Sequence, residues 1–383
     1  MRFPSTAADY RALAARRLPR FLFDYVDGGA GEEHSLAVNS SDFAALKLRQ
    51  RVLVDVDGVD TRTTLAGEAC ALPLALAPIG LAGMMARRGE AQAARMAEAA
   101  GVPFTLSTVG ICPLAEVQAA RTTPFWFQLY MLRDRGVVAA LLDEAWAAGC
   151  RTLVFTVDLP LPGLRHRDVR NGLEARGAGA SLTRIGHVLS HPRWLWDVAL
   201  RGKPLRFGCL ARQVPDVRNL DAFKRWVDAQ FDASVTWRDI EWLRGRWKGR
   251  LLLKGILDVD DAKAAVQVGA DGIVVSNHGG RQLDSTVSTI AMLPAVAQAV
   301  GSRTQVLLDG GVRSGVDIFK ALALGAEGVL IGRPWVWALA GAGADGLRHY
   351  LAMLQRELHL TMTFAGVTRI SDIGPHSLQG VCE

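Results

Sequence analysis

The stretch SNHGGRQLD at residues 276–284 directly follows the apolar run GADGIVV. The last three residues of that run are consecutive β-branched side chains, which is typical of a parallel strand buried on both faces. The polar and turn-forming residues that follow mark the end of such a strand. We therefore expect His278 and Arg281 to lie at the carboxyl end of a buried strand.

The same pattern of an apolar run of strand length recurs along the chain. The eight predicted strands are ALPLALAP (71–78), PFTLST (103–108), FWFQLY (125–130), TLVFTVD (152–158), LLLKGI (251–256), GIVVSN (272–277), QVLLDGG (305–311) and GVLIGRP (328–334). Between them lie Ala-rich segments with apolar residues three and four positions apart, which often end at glycine as helices do. Alternating strands and helices indicate parallel pairing, and eight such units favour a closed barrel. We predict an α/β protein, a single (β/α)8 TIM barrel with an N-terminal helical extension and a long insertion after the fourth strand.

Composition and charge exclude several classes of protein. The 383 residues are 50% hydrophobic, and the net charge of +6 suits an anionic ligand or an anionic membrane surface without deciding between them. The five cysteines are scattered without metal-ligand spacing, so reduced thiols are expected and no metal site is predicted. No signal-peptide core and no apolar run of roughly 18 residues occurs, so neither export nor a spanning helix is indicated. No nucleic-acid partner is expected.

Polar residues follow nearly every predicted strand. In barrels of this kind the active site is assembled at the carboxyl ends of the strands. The candidates there are Pro78 with Gly80, Ser107, Gln128 with Tyr130, Thr156 with Asp158, Lys254, Ser276 with His278 and Arg281, Asp309 with Arg313, and Gly332 with Arg333. The glycine-rich turns DGGVRSG (309–315) and IGRP (331–334) also match the phosphate site that such barrels often carry after their last two strands.

The ordered set SNHGGRQLD, FQLY, TVD, KGI, LDGGVRSG and IGRP resembles the FMN-dependent L-2-hydroxy acid oxidase and dehydrogenase family. The likeness runs over essentially the whole chain, so residues 1–383 are expected to form one FMN hydroxy acid dehydrogenase domain. Segments such as FLFDYVDGGA and WFQLYMLRDRG look most like the bacterial respiratory L-lactate dehydrogenases of this family.

The resemblance implies an activity and partners. FMN is the expected cofactor, and the expected reaction oxidises an L-2-hydroxy acid to the 2-oxo acid, foremost L-lactate to pyruvate. Electrons would pass to a membrane quinone, and the protein would be a homo-oligomer, a tetramer in the family, attached peripherally to the cytoplasmic side of the inner membrane. Two alternatives remain open, namely a soluble oxidase that reduces oxygen with a glycolate- or mandelate-type substrate, and a phosphate-ligand barrel isomerase or aldolase.

The resemblance also implies roles for individual residues near the substrate. His278 looks like the base that takes the substrate proton, and Asp158 looks like the partner that stabilises the resulting imidazolium. Arg281 and Arg165 look like the guanidiniums that hold the substrate carboxylate. Tyr25 and Tyr130 resemble the phenols that line the family's substrate site, and Tyr130 is also expected to be catalytic.

On the cofactor side, Lys254 looks like the cation placed near flavin N1, where reduction leaves an anion. The other residues that resemble the family's FMN contacts are Ala77, Pro78, Ile79, Gly80, Ser107, Gln128, Thr156, Ser276, Asp309, Gly310, Gly311, Arg313, Gly332 and Arg333. Gly80 and Val109 stand where glycolate oxidase has an alanine and a bulky tryptophan. Because Val109 leaves room, a 2-hydroxy acid larger than lactate also fits this pattern.

Residues 160–250 form an interval much longer than a normal connection, so an insertion is predicted there. Within it, residues 184–208 carry five basic residues against one acid, with Trp194 and Trp196 among them. Basic and aromatic residues interleaved with aliphatic ones suit the surface of an anionic bilayer. A lid or a subunit contact is the alternative for this segment.

Overall fold

The computed structural model describes residues 4–174, 177–212, 226 and 229–380. A hairpin of β1 (Thr63–Leu65) and β2 (Glu68–Cys70) precedes the barrel. The barrel strands are β3 (Leu74–Leu76), β4 (Thr105–Ser107), β5 (Trp126–Leu129), β6 (Thr152–Thr156), β7 (Arg250–Ile256), β8 (Gly272–Val275), β9 (Gln305–Asp309) and β10 (Gly328–Ile331). Each lies within one of the eight predicted runs or extends it by one residue.

The eight strands form one parallel sheet in the order β3-β10-β9-β8-β7-β6-β5-β4. A parallel bridge between Leu76 and Phe104 joins its two edges, so the sheet closes on itself. The predicted (β/α)8 barrel is confirmed. Its interior is packed with side chains that are almost fully buried, among them Trp126, Val154, Leu252, Val274, Leu307 and Leu330.

Helices surround the barrel and extend it at the amino terminus. They are α1 (Ala7–Arg17), α2 (Arg20–Asp27), α3 (His34–Ala45), α4 (Ala82–Met85), α5 (Gly89–Ala99), α6 (Leu114–Ala119), α7 (Arg135–Ala147), α8 (His166–Arg170), α9 (Ala178–Leu189), α10 (Pro192–Trp194), α11 (Trp237–Arg246), α12 (Val259–Gln267), α13 (Thr289–Val300), α14 (Gly315–Ala323) and α15 (Arg333–Ala365). The predicted helical extension is α1 to α3, of which α1 packs on α15. No helix in the described ranges is long and apolar enough to cross a membrane.

The hairpin closes the amino-terminal end of the barrel. Glu68 on β2 accepts a hydrogen bond of 2.9 Å from Nε1 of Trp126, the first residue of β5. Because this end is closed, the opposite end, where the strands finish, is the one that remains available for a site.

The connection between β6 and β7 contains α8 to α11 and a π-helical turn at Leu195–Leu200. Part of the predicted insertion, 175–176, 213–225 and 227–228, lies outside the described residues. Helix α11 directly precedes β7 and buries Ile240 and Leu243, so it serves as the helix that normally links two barrel strands.

One expectation for the insertion is wrong. Trp194, predicted as an aromatic residue facing a bilayer, is buried, and its Nε1 donates a 2.7 Å hydrogen bond to the carbonyl of Met84. An indole whose N–H has found a buried acceptor anchors the insertion to the barrel rather than to lipid. Trp196, two residues on, is exposed.

Candidate active site

The turn after β8 explains why SNHGGRQLD contains two glycines. His278, Gly279 and Gly280 have φ values of 55°, 65° and 72°, so three successive residues lie in the left-handed region. Glycine enters this region without strain, whereas a histidine there is uncommon. A Cβ atom on Gly280 would lie 2.6 Å from the backbone nitrogen of Leu36, so the close approach of α3 also requires glycine.

The left-handed turn directs His278 towards the end of β6. Its Nδ1 lies 2.8 Å from Oδ1 of Asp158. Burial raises the pKa of Asp158, but the charge and hydrogen bond of His278 and the charge of Lys254 outweigh it and lower the pKa below its usual value. Asp158 is therefore held as a carboxylate against the imidazole.

Two guanidinium groups meet over one phenol. The Cζ atoms of Arg281 and Arg165 lie 5.2 Å and 5.6 Å from the centroid of the Tyr25 ring. Burial, together with the charge of Arg165, lowers the pKa of Arg281 to about 10. Arg165 is paired instead with the buried carboxylate of Asp168, at 3.1 Å. Arg165 also lies 3.4 Å from Glu174, whereas Arg281 has no carboxylate partner among the described residues, so its buried charge favours an anionic ligand.

Lys254 forms a buried ion pair beside this region. Its Nζ lies 2.8 Å from Oδ2 of Asp309 and donates a 2.9 Å hydrogen bond to Oγ of Ser276. Burial lowers the pKa of Lys254, but the charges of Asp309 and Asp158 outweigh it, so the pKa is raised above its usual value. The ammonium group is therefore a fixed positive charge inside the barrel mouth.

Three predicted cofactor contacts form a buried network. Gln128 accepts a 3.0 Å hydrogen bond from Oγ of Ser107 and donates a 3.1 Å hydrogen bond to Oγ1 of Thr156. The three side chains are fixed at the ends of neighbouring strands β4, β5 and β6. Together with Ser276 they are buried and do not line the cavity described below.

The two predicted phosphate turns also lie at this end of the barrel. Gly311 has a φ of 90°, and a Cβ there would lie 1.9 Å from the carbonyl oxygen of Asn39. Arg313 lies 5.2 Å from the centroid of the Trp337 ring.

Arg333 has a contact set that its motif did not predict. It donates to three carbonyl oxygens, those of Asp27, Gly28 and Gly279, at 2.8–3.1 Å. Since Asp27 and Gly28 end α2 and Gly279 follows β8, Arg333 fixes the N-terminal extension onto the barrel.

These groups surround one cavity of about 1330 Å³, counting the solvent at its mouth. The predicted site residues that line it are Tyr25, Ala77, Pro78, Ile79, Gly80, Tyr130, Arg165, Lys254, His278, Arg281, Asp309, Gly310, Gly311, Arg313, Gly332 and Arg333. Asp158 stands behind His278. Among the described residues, no group of three or more His, Cys, Asp or Glu side chains is placed to hold a metal ion.

The residues present fit the FMN that the resemblance implies. Within the described part of the chain, Oδ1 of Asp309 is buried and has no hydrogen-bond partner, so it is available to a ligand hydroxyl. Lys254 and Asp309 line the cavity, and the glycine turns and Arg313 belong to the same lining. A cation, an acceptor for hydroxyl groups and a glycine-rich anion cradle are what a flavin ring, a ribityl chain and a phosphate require.

Several lining residues were not predicted. Gln282 stands inside the quoted motif, and its Nε2 donates to the carbonyls of Asp158 and Leu161 at 3.0 Å and 3.1 Å. Its position within SNHGGRQLD was the only sequence feature that could have identified Gln282 as a residue of the site. Phe207 and Phe231 reach the cavity from the insertion, whose sequence shows no periodic pattern that points to them. The remaining unpredicted lining residues are Val26, Leu81, Leu159, Pro162, Gly279, Val312, Leu330 and Ile331.

Comparison with known proteins gives consistent results in sequence and structure. A family described as FMN-dependent dehydrogenase matches residues 14–380. An L-lactate dehydrogenase of Caulobacter sp. (strain K31) is 53% identical over 369 residues, which cover 96% of this chain and 97% of that protein. An L-lactate dehydrogenase of Stenotrophomonas maltophilia (strain R551-3) is 52% identical over 374 residues, which cover 98% of both.

Two solved structures share the fold. The monotopic membrane protein (S)-mandelate dehydrogenase superimposes with a TM-score of 0.91 at 34% identity, over 98% of this chain and 99% of that one. A mandelate oxidase has a TM-score of 0.83 at 37% identity, over 98% of both chains. The similarity therefore extends over nearly the whole chain.

Proposed function

This chain belongs to the FMN-dependent dehydrogenase family, and on that premise we propose that it oxidises an L-2-hydroxy acid to the 2-oxo acid, with L-lactate as the foremost substrate. The observation that carries the proposal is the His278–Asp158 pair, which shares one cavity rim with Arg281, Arg165 and Tyr130. A base and a carboxylate clamp in one cavity are what oxidation at the carbon next to a carboxylate requires. The isomerase or aldolase alternative is not retained, because the family match covers nearly the whole chain.

In this proposal, His278 accepts the proton that leaves the substrate. With Nδ1 bound to Asp158, Nε2 is the ring nitrogen left to accept a proton from the substrate. The ionised Asp158 then stabilises the imidazolium that forms. FMN, when bound, takes up the two electrons of the oxidation.

Arg281 and Arg165 hold the substrate carboxylate. One guanidinium nitrogen of Arg281 donates a 2.7 Å hydrogen bond to the carbonyl of Gly28, which fixes the group and leaves its other nitrogen atoms for a ligand. Tyr130 adds a phenol at the same rim. Because burial raises its pKa well above the usual value, the phenol stays protonated and acts as a hydrogen-bond donor.

We propose that the exposed apolar side chains of α9 and the turn after it attach the protein to the cytoplasmic face of the inner membrane. The α9 surface consists of Leu182, Ile185, Leu189, Trp196 and Leu200, each 50–68% exposed. The first three are spaced three and four residues apart, so they share one helix face. Exposed basic residues lie close to this surface in the sequence, at Arg193, Arg201, Lys203 and Arg206. The similarity to a monotopic membrane protein supports this attachment, and a membrane quinone is the acceptor it favours.

We also propose that the protein is a homo-oligomer, and the family resemblance favours a tetramer. Val52, Leu53, Leu360 and Phe364 are exposed apolar residues on adjacent segments, since the backbone N–H of Arg51 donates to the carbonyl of Phe364 at 3.0 Å. Such a patch suits a contact between copies. Light scattering of the holoenzyme measures its mass directly, and a monomer would contradict this part of the proposal.

A soluble oxidase is the second candidate, and the likeness to a mandelate oxidase favours it. Two measurements decide between the candidates. Anaerobic bleaching of bound flavin by L-lactate, glycolate and (S)-mandelate identifies the substrate without assuming an acceptor, and we expect L-lactate to bleach fastest. Peroxide formed under air identifies an oxidase, whereas a dehydrogenase forms little. A protein that holds no flavin, or that none of the three acids reduces, would contradict the proposal.

A further inference from the structure

The insertion reaches the active site through Phe231. The Phe231 ring is 7% exposed and stands edge-on to Tyr130, with ring centroids 5.4 Å apart and an interplanar angle of 82°. This T-shaped arrangement is the favourable geometry for two aromatic rings. Phe231 therefore packs against the phenol assigned to the substrate site.

The backbone around Phe231 is joined to the segment that follows Tyr130. Phe231 forms an antiparallel bridge with Leu132, and the N–H of Arg133 donates a 2.8 Å hydrogen bond to the carbonyl of Gln230. Nε of Arg133 donates to the carbonyl of Phe231 at 3.2 Å. The contact is thus held by main-chain pairing as well as by the rings.

Among the described residues, no hydrogen bond orients the Tyr130 phenol, which is held by packing alone. It is the first residue after β5, and no group in that part of the chain hydrogen-bonds its hydroxyl. Packing must then set the ring angle on which the direction of the hydroxyl depends. A misplacement of about 1 Å at such a group can slow a reaction by as much as ~10²-fold.

We propose that Phe231 is a positioning residue, which holds the Tyr130 phenol in the orientation that meets the substrate. This rests on the proposed function, in which Tyr130 contacts the substrate. It gives the insertion a part in the chemistry that is independent of any contact with a membrane.

The test is single-turnover flavin reduction by L-lactate in the purified holoenzyme. Phe231→Leu keeps an apolar side chain but removes the ring edge, so we expect reduction to slow by about threefold to tenfold, the range for loss of one aromatic pair. Phe231→Tyr keeps the ring and is expected to retain a rate within about twofold of wild type. Ile240→Ala is the matched control, because Ile240 is buried in the same connection and does not line the cavity.

A double-mutant cycle separates positioning from general loosening. Once Tyr130→Phe has removed the hydroxyl, its orientation no longer matters, so adding Phe231→Leu is expected to change the rate little. The proposal is overturned if Phe231→Leu slows the Tyr130→Phe enzyme as much as it slows wild type, or if Ile240→Ala has the same effect. It is also overturned if Phe231→Leu reduces at the wild-type rate.

A substitute variant and the rate of Tyr130→Phe separate failure of the positioning role from failure of the proposed function. If Phe231→Leu does not fold with flavin bound, Phe231→Met provides the same comparison. If Tyr130→Phe itself reduces at the wild-type rate, the role of Tyr130 in the proposed function fails, whereas a slow Tyr130→Phe with an unaffected Phe231→Leu contradicts only the positioning role.

Discussion

His278 and Asp158 are 120 positions apart in the sequence, yet Nδ1 of one lies 2.8 Å from Oδ1 of the other. The second oxygen of Asp158 is buried and has no hydrogen-bond partner among the described residues. The carboxylate therefore depends on the imidazole for its hydrogen bond, and the imidazole depends on the carboxylate for its orientation. The two side chains form one unit for transfer of a proton.

We expect His278→Gln to bind FMN normally and to reduce it at least ~10² times more slowly, because glutamine cannot accept the substrate proton that the imidazole takes up. Asp158→Asn is expected to lose activity as well, since an amide cannot stabilise an imidazolium. Combining the two substitutions should add little to the larger single effect, as for residues that act as a unit. Stopped-flow absorbance of the flavin measures each rate, and near-normal reduction in His278→Gln would contradict the assignment.

The forked contact of Arg281 gives a second prediction. Arg281→Lys loses the hydrogen bond to Gly28 and cannot offer two parallel donors to a carboxylate. We expect KM for L-lactate to rise by about tenfold or more and reduction to slow, an effect of about 1.4 kcal/mol. Arg313→Lys serves as a comparison, because it is expected to weaken FMN binding instead. Unchanged kinetics in Arg281→Lys would show that the residue does not hold the substrate.

Gly80 is packed closely against Val109 and Tyr25, which leaves no room for a side chain at position 80. A Cβ on Gly80 would lie 2.7 Å from Cγ2 of Val109 and 3.1 Å from the hydroxyl of Tyr25. We expect Gly80→Ala to displace these side chains and to lower kcat/KM for L-lactate by about tenfold, as overpacking by about 1–2 kcal/mol implies. Adding Val109→Ala should restore part of the loss, because it removes the nearer contact. If the double variant is no better than Gly80→Ala, the clash is not the cause.

Acid stability should depend on Asp27, which is buried between Arg11 and Arg167. Burial raises the pKa of Asp27, but the hydrogen bonds and charges of Arg11 and Arg167 outweigh it and lower the pKa below its usual 3.8. A carboxyl group with a lowered folded pKa stabilises the protein fully above its unfolded pKa, and this contribution disappears as the pH falls through the folded pKa.

We therefore expect Asp27→Asn to lower the free energy of unfolding by about 1–2 kcal/mol at pH 7, because the carboxylate is buried but Arg11 and Arg167 remain partly exposed to solvent. The difference from wild type should shrink below pH 3.8, the usual pKa of the free carboxyl group. Urea unfolding between pH 7 and pH 3 measures it. Asp60→Asn is the control, because the Asp60–Arg62 pair is exposed and should contribute little. A difference that stays constant over this pH range would contradict the prediction.

Membrane attachment through the α9 surface can be tested by comparing substitutions on that surface with a substitution of an exposed tryptophan elsewhere. Trp196→Glu and Leu189→Glu should move the protein from anionic vesicles to the supernatant while flavin content and lactate-driven dye reduction persist. Trp242→Glu, in α11, should not, although Trp242 is also exposed. Binding should weaken with salt, because each basic residue near the surface contributes about 1 kcal/mol by electrostatic attraction. A wild-type protein that remains in the supernatant at low salt would leave the lid or subunit contact as the role of this segment.

Much of the fold and the site was predictable from local sequence. The run IVV before SNHGG and the repeated alternation of apolar strands with Ala-rich helices were sufficient for a closed parallel barrel, because burial on both faces leaves a continuous apolar signature. The barrel then places each strand end at one rim, so His278, Lys254 and Asp158 could be assigned to one site from their positions at or near the carboxyl ends of strands.

Tertiary structure alone decided how the intervening segments meet that rim. Trp194 turns inward to Met84, Phe231 packs on Tyr130, and Arg333 clamps the end of α2. None of these contacts follows from a period of 2.0 or 3.6 residues, because each joins parts of the chain that are far apart in sequence. Such pairings are chosen by shape, by buried hydrogen-bond partners and by loop closure, and these exist only after the barrel has formed.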